Sequence, residues 1–191
     1  MKKILIINGS NRKYNTYNIL KKISELLTNN YDMKCKIINL GDHYIKQCKG
    51  CEACITKDSC PIKDEHQYII DEIKSSDALI IGTPVYLRNI SSTLKTFCDR
   101  ACKWYHRSEI TGYPVLGVIT TAFSGIKQTN DYLRDIILQW GGIYSGAVKR
   151  KVMNINNPVE TGEIATFISR LNKDKSKYKP TLKQLIEFQT Q

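Results

Sequence analysis

Four cysteines crowd into one short stretch, Cys48, Cys51, Cys54 and Cys60, spaced C-x2-C-x2-C-x5-C and followed by Pro61. Thiolate sulfur is a soft metal ligand, and such short spacings turn successive sulfurs toward one focus, so the run can enclose a metal centre. Three closely spaced ligands and a later Cys-Pro suit an iron–sulfur cluster. A single zinc also takes four cysteines, but more often from two separated pairs. Reduced thiols packed at a subunit interface are a third reading. Lys49, Lys57 and Lys63 are placed to offset the negative charge of a cluster. The total of seven cysteines is odd, and in a reducing compartment a cluster of this kind reads as metal-binding or catalytic before it reads as disulfide-bonded. Cys35, Cys98 and Cys102 lie among apolar residues and read as small core side chains, with Cys98 and Cys102 on one helix face.

A second constellation runs Gly9-Ser10-Asn11-Arg12-Lys13-Tyr14-Asn15-Thr16. It follows an apolar run and opens a helical pattern. The free N–H groups of a helix start favour anions. Ser10, Asn15 and Thr16 add short donors and Arg12 a guanidinium fork, a set that suits a phosphate. Neither the Walker A pattern nor G-x-G-x-x-G is present. A third segment, Gly82-Thr83-Pro84-Val85-Tyr86-Leu87-Arg88-Asn89, places a Pro and a Tyr at a strand end, a rigid ledge for a planar ring. A fourth, Thr120-Thr121-Ala122-Phe123-Ser124-Gly125, is built of small residues that let backbone approach a ring closely. His43, His66 and His106 lack metal-ligand spacing with one another and read as surface or satisfied histidines, and no Ser-His-Asp set or carboxylate pair marks a hydrolase.

The elements that must position these loops follow from periodicity. Strands are predicted over Lys2–Asn8, Met33–Leu40, Ala78–Val85, Pro114–Ala122 and, more polar and at an edge, Tyr144–Met153. Helices are predicted over Asn15–Asn29, Glu65–Ser75 with Asp64 as cap, Ser91–Trp104, Gln128–Trp140 stopped by Gly141 and Gly142, and Val159–Asn172. A short helix is predicted over Leu182–Phe188. The alternation implies parallel βαβ units in a three-layer, doubly wound α/β sheet of five strands, with helices on both faces. In such folds ligands sit at the carboxyl ends of the strands where strand order reverses. The 191 residues suit one domain: residues 1–172 as the core, 41–63 as a cysteine-rich insertion, and 173–191 as a basic tail.

The loop motifs resemble those of the NADPH-dependent FMN reductase and iron–sulfur flavoprotein family. Gly9-Ser10-x-Arg12…Asn15-Thr16 is similar to the family's phosphate loop, one residue shorter than many. The run Thr83-Pro84-Val85-Tyr86…Ser91-x-x-Leu94-Lys95-x-Phe97-x-Asp99-Arg100 is similar to the family's second loop and the helix it opens, and Thr120-Thr121-Ala122 with Gly125 is similar to the family's third loop. The resemblance covers about Lys2 to Arg150. It implies a flavodoxin-like fold of strand order 2-1-3-4-5, with FMN held through its phosphate by Ser10, Arg12, Asn15 and Thr16. It places the isoalloxazine against Thr83, Pro84, Val85, Tyr86, Leu87 and Asn89, and the ring's other edge against Thr121, Ala122 and Gly125. Backbone donors at Tyr86 to Asn89 are expected to tune the ring. Family members often carry Gly where Arg88 stands.

The cysteine spacing resembles the compact motif of iron–sulfur flavoproteins, which implies Cys48, Cys51, Cys54 and Cys60 as ligands of a [4Fe–4S] cluster near the FMN. No side-chain acid or base is expected to be obligatory, because the flavin carries the redox chemistry. The expected activity is transfer of electrons from NAD(P)H to flavin, quinone or another small acceptor; the alternative is an electron carrier fed by ferredoxin. Family members commonly form dimers or tetramers.

The formal net charge is +11. The cations are spread along the chain rather than gathered in one basic helix, which reads first as a solvated basic surface; the functional reading is docking of an acidic partner. No DNA-reading helix stands out, so a nucleic-acid-binding module is the remote alternative. No run is long and apolar enough to span a membrane, and the N-terminus lacks a signal-peptide pattern, so a cytoplasmic protein is expected.

Overall fold

The computed structural model describes residues 1–182, 184 and 185. Five strands form one all-parallel sheet in the order β2-β1-β3-β4-β5: β1 Lys3–Asn8, β2 Lys34–Asn39, β3 Ala78–Pro84, β4 Pro114–Thr121 and β5 Ile143–Lys151. The helices are α1 Asn15–Tyr31, α2 Ala53–Thr56, α3 His66–Lys74, α4 Ser92–Arg100, α5 Lys103–His106, α6 Ile126–Gln139 and α7 Thr161–Leu171. This is the flavodoxin-like architecture, with polar β5 at an edge as its composition requires.

Alternation along β1 explains the layering. Ile4 and Ile6 face one side and join Ile19, Leu20, Ile23 and Leu27 of α1 and Ile164 and Phe167 of α7. Leu5 and Ile7 face the other side and join Ile69 and Ile73 of α3, Leu94 and Phe97 of α4, and Leu133 and Ile137 of α6. A central strand buried on both faces must be apolar throughout, which is why β1, β3 and β4 read as continuous runs. The chain leaves β1 for one face and β3 for the other, so a crevice opens between their carboxyl ends.

The continuous helix expected over Ser91–Trp104 is corrected to two, broken at Ala101 and Cys102. Neither Gly nor Pro interrupts the sequence here. The turn instead carries Trp104 into the core, where it meets Trp140 edge-on at 5.1 Å and is 3% exposed. Burying so large a ring outweighs one lost helical turn. Of the short helix expected over Leu182–Phe188, residue 183 and those after 185 lie outside the described residues. The described part of the basic tail packs back on the domain: Lys175 lies 3.6 Å from the centre of the Tyr113 ring, and Gln184 donates to the Leu138 carbonyl at 3.2 Å. No described helix is long and apolar enough to cross a membrane.

Candidate functional site

The carboxyl ends of β1, β3 and β4 converge on a cavity of about 260 Å³. Ser10, Arg12, Asn15 and Thr16 line it from the first loop, Pro84, Val85 and Tyr86 from the second, and Thr121 and Ala122 from the third. Tyr14, Thr120 and Val152 complete the wall. Three segments far apart in sequence therefore meet where strand order reverses.

Each loop is braced from beneath. Buried Asn8 accepts the Ser10 amide at 3.2 Å and donates to Asn39 at 3.1 Å. The Ser10 hydroxyl accepts the Arg12 amide at 3.2 Å. Gly9 has to be glycine, because a Cβ there would stand 2.8 Å from the Leu94 Cβ and 2.9 Å from the Gly82 carbonyl oxygen. Thr16 and Thr120 share a buried hydroxyl–hydroxyl hydrogen bond of 2.7 Å, tying the start of α1 to the end of β4. Asn8 is a support that motif reading missed, hinted at only by a polar residue at a strand end; Thr120 stood within the third loop's motif but not among the expected contact residues.

The donors in this cavity fit an anion. No side chain caps the first turn of α1. Lys13 is engaged by Asp42 at 2.7 Å, whereas no carboxylate among the described residues pairs with Arg12. The loop's guanidinium and its helix-start amides remain available to a phosphate. Of the lining residues Tyr14, Tyr86 and Val152 are exposed, an apolar rim above a polar floor; exposed Leu87, Phe123 and Met153 follow Tyr86, Ala122 and Val152 in the chain.

Four of the expected contact residues lie off the cavity wall: Thr83, Leu87, Asn89 and Gly125. Thr83 is fully buried and bridges within the protein, donating to the Pro84 carbonyl at 2.9 Å and accepting the Ser91 amide at 3.0 Å. Leu87 and Arg88 form the tip of a tight hairpin closed by paired bonds of 2.9 Å between Tyr86 and Asn89. Both tip residues are left-handed, with φ of 49° and 64°. The expectation of free donors from Tyr86 to Asn89 is thus narrowed, since the Tyr86 and Asn89 amides are spent on each other. Gly125, at φ 88°, packs beneath this hairpin, where a Cβ would stand 2.7 Å from Val85 Cγ1.

No residue of the cysteine loop lines this cavity. Cys48 and Cys51 are exposed, and Cys54 and Cys60 half-buried. Among the described residues no three Cys, His, Asp or Glu side chains converge closely enough to hold a metal ion. Two partners come from outside the motif. Cys54 lies 3.5 Å, sulfur to sulfur, from Cys102, and the Arg100 guanidinium donates to Cys60 Sγ at 3.6 Å. Cys102 is therefore corrected from a core residue on the Cys98 face to a member of the thiol group. Burial, then the neighbouring Cys54 and Cys48, pushes its thiol up to about 12. Cys98 stays the inert core thiol expected of it, pushed to about 12 by burial.

A family model for NADPH-dependent FMN reductase matches residues 2–153. The chain belongs to the NADPH-dependent FMN reductase family. An iron–sulfur flavoprotein of Archaeoglobus fulgidus is 39% identical over 99 residues, 52% of this chain and 48% of that protein. An iron–sulfur flavoprotein of Clostridioides difficile is 28% identical over 97% of this chain and 85% of its own length. The chain thus spans about half the length of the first of these relatives and most of the second. A flavodoxin, WrbA-like protein from Agrobacterium tumefaciens superposes with a TM-score of 0.56 at 18% identity, covering 90% of this chain and 92% of that one; that likeness is one of fold. The cofactor in the FMN reductase family's description bears one phosphate and a planar three-ring system. The cavity offers an uncommitted guanidinium for the first and an apolar rim for the second, so the residues present fit FMN.

Proposed function

We propose that this protein binds FMN in the cavity at the ends of β1, β3 and β4 and uses it to pass electrons from NAD(P)H to flavin, quinone or another small acceptor. The observation that carries the reading is the convergence of an uncommitted Arg12, the uncapped start of α1 and the Pro84–Tyr86 ledge on one crevice. Bound FMN would supply the two-electron chemistry; the chain's own residues position it. Arg12 and the Ser10, Asn15 and Thr16 segment hold the phosphate by charge-assisted hydrogen bonds. Pro84, Val85 and Tyr86 support one side of the ring, and Thr121 and Ala122 border the other. Leu87 and Arg88, at the hairpin tip, have the amides left free to face the ring's polar edge. The exposed apolar side chains lining the cavity, Tyr14, Tyr86 and Val152, offer a surface on which a flat acceptor can lie. Stopped-flow mixing with NADH or NADPH is expected to bleach the bound flavin. Inertness to both donors overturns the reading.

A second reading is favoured by the cysteine loop: an electron carrier in which Cys48, Cys51, Cys54 and Cys60 hold a [4Fe–4S] cluster beside the FMN, with an acidic ferredoxin as donor. A cluster several atoms across takes cysteines set further apart than a single ion does, and Cys48 and Cys51 are exposed. Both relatives reported above bear the name iron–sulfur flavoprotein. Protein purified without oxygen is then expected to show flavin bands, broad absorbance near ~400 nm and about four iron per chain, and Cys51→Ser to lose that broad absorbance. Flavin bands without iron leave the reductase alone. The net charge of +11 suits docking of the acidic donor, and reduction by ferredoxin that ignores added salt would count against it. Assembly into dimers or tetramers is part of this proposal and is read by light scattering.

A further inference from the structure

We propose that Cys54 and Cys102 are a redox-active dithiol, oxidised to a reversible intramolecular disulfide by low-molecular-weight disulfides. Their sulfurs lie 3.5 Å apart although the residues are 48 apart in sequence. From such contact, small side-chain rotations bring two sulfurs to bonding distance.

The encounter is built by elements that do not depend on the thiols. Cys54 lies on α2, and Cys102 is the residue that precedes and caps α5. Asp58, just after α2, pairs with Lys103 at 2.7 Å and with Arg107 at 2.8 Å, binding the cysteine loop to α5. Those ion pairs hold the two thiols together before any bond forms, which raises their effective concentration toward each other. Both cysteines are half-buried, and each borders a cavity: Cys102 one of about 830 Å³ that Cys48 also lines, Cys54 a separate one of about 320 Å³. A small disulfide reaches the pair from either cavity. Of the remaining cysteines, Cys98 is buried and Cys60 lies against Arg100; Cys48 borders the same cavity as Cys102 and neighbours its thiol, and is the competing partner against which the 3.5 Å contact of Cys54 is set.

The exchange balances without any further reagent. The Cys54 thiol gives up its proton and its sulfur attacks one sulfur of the small disulfide, leaving a mixed disulfide; the expelled thiolate takes up that proton. Cys102 then gives up its proton and attacks the Cys54 sulfur. The second small thiolate leaves and takes up that proton. The protein loses an electron pair, and one small disulfide becomes two thiols. If the cluster reading holds, the same bond withdraws Cys54 from the ligand set, so oxidation and cluster loading exclude one another.

The test uses the full chain with FMN bound, its iron removed by a chelator under dithiothreitol. It is exposed to glutathione disulfide under argon, alkylated and mapped by mass spectrometry. A Cys54–Cys102 cross-linked peptide is expected as the dominant species, with the loss of one thiol pair and full reversal by dithiothreitol. In Cys102→Ser the reaction is expected to stop at a Cys54–glutathione adduct, the flavin spectrum reporting that the variant has folded. Full alkylation of both cysteines, or linkage of either one to Cys48, Cys51 or Cys60 instead, overturns the proposal. Failure to bind FMN is read separately, in the visible spectrum, and bears on the cofactor reading and not on the thiol pair.

Discussion

Arg100 closes a bidentate pair on Asp64, with the second contact at 3.2 Å, and the two side chains are only 2% and 1% exposed. The same guanidinium also donates to the carbonyls of Lys46 at 3.0 Å and Ile62 at 3.4 Å and to Cys60. One buried cation therefore pins both ends of the cysteine loop to α4. Burial alone would raise the Asp64 carboxyl, but Arg100 and the amides of Lys46 and His66 outweigh it and hold it below the usual range. Removing one partner of a buried pair strands the other charge, so Asp64→Ala is expected to cost about 3–5 kcal/mol. Urea denaturation measures this, and a loss below about 1 kcal/mol would mean that the pair behaves as a surface one.

His66 packs against the Phe97 ring at 5.1 Å and meets the Phe97 carbonyl at 3.3 Å. Burial, then the neighbouring Arg100 charge, pulls its imidazole down to about 4 from 6.5. The folded state thus resists a proton that the unfolded chain accepts. Stability is unaffected above pH ~6.5 and falls as the pH drops from there toward ~4, by roughly 3 kcal/mol in all. His66→Gln is expected to flatten the stability profile across that window. A profile of unchanged slope in the variant would assign the pH dependence to other groups.

Arg12 is the cation of the first loop that no described carboxylate engages. Loss of a charge-assisted phosphate contact typically costs about 1.5–3 kcal/mol. Arg12→Ala is expected to weaken FMN binding by about tenfold to a hundredfold with little change in the melting temperature of the flavin-free protein. Equilibrium dialysis against FMN reads the affinity, and an unchanged value removes Arg12 from the phosphate site.

Arg88 holds a left-handed backbone, φ 64°, beside Leu87 at 49°. A side chain in that region costs about 1 kcal/mol more than glycine does. Arg88→Gly is therefore expected to stabilise the flavin-free protein by up to about 1 kcal/mol, whereas Gly125→Ala, which drives a Cβ into Val85, is expected to destabilise it by about 1–3 kcal/mol and to weaken FMN binding through the same hairpin. Denaturation midpoints of both variants decide the point; a destabilising Arg88→Gly would show that its side chain does more than cover the tip.

The parallel sheet, its layers and the three loops of the cavity were legible in the chain because each rests on local pattern. Short β-branched apolar runs bounded by turns read as buried strands, the helical spacing of Ile19 to Leu27 presents one apolar face, and the loop motifs are contiguous. What tertiary structure alone decided depends on residues distant in sequence. The break at Ala101 is set by Trp140 waiting for Trp104, the withdrawal of Thr83 from the cavity by Ser91, and the place of Cys102 in the thiol group by the loop that Arg100, Asp64 and Asp58 fold back onto α4 and α5. A periodicity records which face of an element is buried; it carries no record of which partner, tens of residues away, buries it.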